Sequence, residues 1–147
     1  MKTNNPTVKY VEWRNPAQMH NKTLQWISEL EFAKTEQHFL EELIEENTLN
    51  LISGNSFTKS KELVTHLSTT EKKVDLLLPK IQHHNNELEI LVKEEEPKNE
   101  KDHVKETHYN LESAVVSFLT DFRELKSDIF DLIKHIIKMN KQKRLLE

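Results

Sequence analysis

Cysteine is absent from the 147-residue chain, and glycine occurs once, at Gly54. Without cysteine the chain can form no disulfide, no thiolate metal site and no cysteine nucleophile, which fits a reducing, cytoplasmic setting. Average usage would supply about ten glycines, and their scarcity removes the positive-φ positions that phosphate loops, tight hairpins and β-barrels need repeatedly. Long apolar runs are missing too. None exceeds three residues, so no segment is expected to span a membrane. The opening MKTNNPTVKY lacks the apolar centre of a signal peptide. Nor is there an excess of positive charge: net charge is −4 and the isoelectric point about 6.1, which speaks against general nucleic-acid binding.

What is present is apolar spacing of three and four. Two stretches interrupt it. One is 53–56 (SGNS), which places the only glycine where a helix C-terminus favours one. The other is 94–102 (EEEPKNEKD), charged, proline-containing and without an apolar residue. The first segment has a start signal: Asn15 as N-cap, Pro16 at the first helical position, and Gln18 to complete a capping box. Its stripe runs from Met19 through Trp26, Leu30, Leu40 and Ile44 to Leu51. The second segment carries Val64, Leu67, Val74, Leu78, Ile81, Leu88 and Val92, with Leu63, Leu77 and Leu91 as a parallel flank. The third, from Val104 to Met139, is the most regular, and His108 is its one polar seam residue.

This pattern predicts an all-α fold: an up-down-up antiparallel bundle of three long, coiled-coil-like helices over about 16–52, 57–94 and 101–144. Residues 1–14, with Tyr10, Val11 and Trp13 among polar neighbours, read as an N-terminal arm on a single domain, 15–147. In the middle helix, Pro79 calls for a kink, and the box-like Ser68-Thr-Thr-Glu71 offers a split.

Polar residues on the seam supply the candidate sites. Folding the chain about its loops sets Gln37 opposite Glu71, and these with Asn85 are expected to form a buried polar layer that fixes register. Near the other end, His20, His84, Glu87, His108 and Glu112 fall at one level. Imidazole and carboxylate inside a helical bundle can hold iron, zinc or manganese. The paired Glu-x-x-His motifs of ferritin-like sites are not there, however, so a metal cofactor is not the first expectation.

Apolar width exceeds a narrow seam at Phe32, Phe39, Leu43, Leu119, Phe130 and Ile137. No phosphate loop, nucleophile elbow or supported acid pair accompanies them. The leading expectation is therefore a non-enzymatic bundle that associates with a protein partner, a homodimer or a small adaptor. The metal-binding bundle is the alternative. A third reading is contact with a membrane surface or nucleic acid through the basic end at Lys134, Lys138, Lys141, Lys143 and Arg144, with Ile133, Ile136, Ile137 and Met139 as its apolar face.

Overall fold

A computed structural model describes residues 15–94 and 100–146. The expected N-terminal arm, with Tyr10, Val11 and Trp13, and 95–99 of the charged break lie outside these residues. Among the described residues there is no strand. Four α-helices follow one another: α1 Pro16–Glu46, α2 Thr48–Ile52, α3 Phe57–Lys93 and α4 Glu100–Leu146, with a 3-10 turn at Gly54–Ser56. Three are long and α2 is a single turn. None of the described helices is long and apolar enough to cross a membrane.

The start of α1 is held by the capping box. The Asn15 amide donates to Gln18 Oε1 at 3.0 Å, and the Gln18 amide donates to Asn15 Oδ1 at 2.8 Å. The first long helix nevertheless stops at Glu46, short of the expected 52. Asn47 Nδ2 donates to the Leu43 carbonyl at 2.8 Å, and Thr48 Oγ1 donates to the carbonyls of Ile44 and Glu45 at 3.1 and 2.9 Å. These short side chains take the carbonyls that a continuing helix would use, and the chain restarts as α2. The turn that follows also differs from a glycine cap. Ser53 closes α2 in extended conformation (φ −104°, ψ 142°), and the 3-10 turn leads directly into α3.

α3 is uninterrupted for 37 residues, so the split near Ser68 does not occur. Thr69 and Thr70 bond back to the carbonyls of Thr65 and Leu67 instead of capping a new helix. Pro79 sits inside α3 and offers no amide to the carbonyl of residue 75.

The chain forms two compact units. The described part of the first comprises 15–31, 75–94 and 100–117; that of the second, 32–74 and 118–146. The boundary in α3 falls between Val74 and Asp75, one turn before Pro79. In the first unit, Met19, Leu88, Leu91 and Val104 form a buried cluster, joined in the core by Trp26, Leu30, Ile81, Leu111 and Val115. In the second, Leu40, Leu67, Val74, Phe118, Phe122, Leu125 and Ile129 are buried. Each such side chain contributes about 1.5–3 kcal/mol by leaving water.

The stripe that α3 buries in the second unit is Ser60, Leu63, Leu67, Thr70 and Val74, while Val64 is exposed and Glu71 half-buried. The expected flank is thus the seam. Rotating α3 this way keeps the Glu71 carboxylate near the surface and buries a threonine, whose hydroxyl satisfies itself on its own helix.

Candidate interaction surface

In the second unit, α1 and α4 lie side by side. Lys126 Nζ donates to Glu36 Oε2 at 2.7 Å, and its ammonium stands 5.2 Å from the centre of the Phe122 ring. One turn further along both helices, Phe39 and Phe130 meet at 6.5 Å between ring centres. Above this contact the apolar side chains face outward: Phe32 is 64% exposed, Phe39 53%, Phe130 44% and Ile137 54%. Leu43 and Leu119 are half-buried on the same helices. Phe32 and Phe39, like Phe130 and Ile137, are seven residues apart and so share a helix face. An aromatic side chain presents about 150–250 Å², so these four leave on the order of 400 Å² of apolar surface in water. That is the scale of the largest apolar patch on a typical monomer, which is often a functional surface.

The flanks of the patch differ in charge. Glu42 and Glu46 are exposed beside Phe39 on α1, and Lys134 and Lys141 are exposed beside Phe130 on α4. Lys138, Lys143 and Arg144 are exposed as well, but Ile133 and Ile136 are buried. Of the apolar face expected beside the basic end, the core of the unit takes Ile133 and Ile136 and leaves Ile137 and Met139 exposed.

Polar contacts elsewhere in this unit are structural. Gln37 is buried and its Nε2 donates to Thr70 Oγ1 at 3.2 Å, and Thr70 Oγ1 donates in turn to the Leu67 carbonyl at 2.7 Å. The partner of Gln37 is therefore Thr70, where Glu71 was expected, for the reason of helix rotation given above. His66 Nε2 pairs with Asp121 at 2.9 Å on a half-exposed part of α3 and α4.

The first unit holds the histidines of the candidate metal cluster. His84 Nε2 and His108 Nδ1 are 2.9 Å apart, both rings fully buried, and Trp26 stacks on His108 with ring centres 4.6 Å apart. Burial, with a smaller contribution from the charge of His83, lowers the His84 pKa from 6.5 to about 4. At neutral pH the ring is uncharged and carries one N–H. His84 Nδ1 is buried with no hydrogen-bond partner among the described residues. An orphan lone pair costs less than an orphan N–H, so the proton belongs on Nε2, where it is donated to His108.

The other expected ligands are placed as follows. Glu87 stands 4.0 Å from the exposed His83, one turn back on its own helix. His20 and Glu112 are half-buried. Asn85 Nδ2 reaches Glu89 Oε1 at 3.4 Å, again within α3. Among the described residues no three His, Cys, Asp or Glu side chains come together in a way that could hold a metal ion. Sharing a level along the bundle does not by itself bring three of the five candidates together.

Neither the seam contact Glu36–Lys126 nor the pair Gln37–Thr70 was foreseen. The first had a usable signal, since both residues flank the apolar stripe. Comparison of the chain with protein-family models, with curated proteins and with solved structures finds no match.

Proposed function

We propose that this protein is a non-enzymatic helical bundle that works by associating with another protein surface through the α1/α4 face of its second unit. The observation that carries the reading is the exposure of Phe32, Phe39, Phe130 and Ile137 on adjoining helices, with Phe39 and Phe130 in contact. An apolar strip two helices wide suits a further helix, which would bury it as one more layer of a bundle. The up-down-up course belongs to the same reading. Leu51 meets Ser60 and Gln37 meets Thr70, as expected for α1–α2 and α3 running in opposite directions. Glu36–Lys126 followed by Phe39–Phe130 advances along α1 and α4 together.

Photo-crosslinking tests it. Phe39→benzoylphenylalanine should give protein adducts in purified protein or in cell extract, and Lys72→benzoylphenylalanine, on an exposed position of α3, should give none. Equal labelling from both positions, or no adduct from position 39, overturns the proposal.

A further inference from the structure

The same face has a charge pattern that selects its occupant, and we infer that the occupant is a second copy of this chain, set parallel so that α1 packs on the partner's α4. This rests on the association reading above and specifies its partner. The reasoning starts from the two rims. On α1, Glu46 lies two turns beyond Phe39 and within about 20° of it around the helix, and Glu42 borders the same side. On α4, Lys141 lies three turns beyond Phe130 and again about 20° from it, with Lys134 at about 40°. All four side chains are exposed. The face is therefore an apolar strip with an acidic rim on one helix and a basic rim on the other.

A two-fold dimer presents this face to itself. Two orientations keep the helices aligned. With the axis running across the helices, α1 lies over α1 and α4 over α4, so the acidic rim on α1 never faces the basic rim on α4. With the axis along the helices, α1 lies over the partner's α4 and acid meets base on both sides. The levels also agree. Phe39 and Phe130 already sit beside each other within one chain, so an axis along the helices brings Phe39 of one copy to the level of Phe130 in the other. Glu46, seven residues on, then arrives at the level of the partner's Ile137. That is between the partner's Lys134 and the partner's Lys141, about one turn from each. The dimer would close an apolar seam of Phe32, Phe39, Phe130 and Ile137 from both chains, with Glu42 and Glu46 facing the partner's basic rim on either side. Only the parallel arrangement sets the acidic rim against the basic one, which is how rim charges choose register.

The experiment is sedimentation equilibrium of the full chain from low to high micromolar concentration, with far-UV circular dichroism on every variant. The expected result is a mass that rises from monomer to dimer, and Phe39→Glu holds it at monomer. Phe32→Glu, at the most exposed of the four positions, should do the same if Phe39→Glu disturbs the helices. Glu42→Lys with Glu46→Lys should weaken the dimer by about tenfold or more, as should Lys134→Glu with Lys141→Glu, and all four changes together should restore it. A monomer mass at every concentration overturns the second copy as occupant, while crosslinking from position 39 still decides the association reading. A dimer that both phenylalanine variants leave intact overturns the face, and the association reading with it. A dimer lost by Phe39→Glu whose fourfold charge variant is no tighter than either double variant overturns the α1-on-α4 arrangement.

Discussion

Acid should loosen the first unit through one residue. His84 is buried as a neutral ring with its pKa lowered from 6.5 to about 4, chiefly by burial and then by the charge of His83. The unfolded chain takes up a proton at this position near pH 6.5, and the folded chain holds it off until about pH 4. The stabilisation is therefore complete above 6.5 and is lost as pH falls toward 4. Linkage gives a loss of about 0.8 kcal/mol at pH 6, about 2 kcal/mol at pH 5 and about 3 kcal/mol at pH 4. The chemistry agrees with the direction. A proton arriving at His84 Nδ1 would bury both a charge and an N–H with no acceptor among the described residues. Carboxylates titrate in the same range, so the measurement is a difference. Thermal unfolding of the wild type and His84→Gln is followed by circular dichroism between pH 7.5 and pH 4.5. Glutamine keeps a donor for His108 and cannot titrate, so the variant should be less stable at neutral pH. The gap should close by about 2 kcal/mol on going to pH 5, roughly 4–8 °C in Tm. A gap of constant size across that range would refute the buried neutral histidine.

Three further outcomes follow from packing and backbone chemistry. Pro79→Ala restores an amide inside α3 at an exposed position, and should raise stability by about 1–3 kcal/mol in urea titration; a decrease would show that the fold depends on the proline. Leu88→Ala empties part of the Met19–Leu91–Val104 cluster and should cost about 2–5 kcal/mol by the same titration. Gln37→Ala strands the buried contact with Thr70 and should cost about 1–3 kcal/mol, whereas Gln37→Leu combined with Thr70→Val should be nearly neutral. Equal losses in those last two variants would show that Gln37 acts through its volume alone.

The α3 seam shows where reading from sequence stops. Two phases of three-four spacing pass through Ser60, Leu67, Val74, Ile81 and Leu88. One adds Leu63, Thr70, Leu77, His84 and Leu91; the other adds Val64, Glu71, Leu78, Asn85 and Val92. Each phase carries seven apolar residues in ten, so apolar count cannot choose between them. The polar content decides: one phase would bury a carboxylate at 71, the other a hydroxyl at 70 and an imidazole at 84. Beyond Val74 the stripe widens, and Leu78, His84 and Asn85 are all buried. The expectation of Glu71 opposite Gln37 came from the phase that the packing rejects. His108 was recognisable as a polar residue in an apolar seam, but its partner His84 was visible only as one of several histidines at a similar level.

Sequence alone determined that this chain is helical, where α1 begins, and that its apolar surface is wider than one seam needs. Those properties depend on neighbours within a turn: the box at Asn15 and Gln18, the scarcity of glycine, the period of the apolar residues. Tertiary structure decided the rest. It turned α3 by one position, joined His84 to His108 under Trp26, spent Ile133 and Ile136 on the core, and left Phe32, Phe39, Phe130 and Ile137 outside. A periodic stripe says that a helix has an inner side, but rotating the helix by a fraction of a turn keeps the same period. The rotation is chosen by the residues that must be kept out of the core and by what the other helices offer across it.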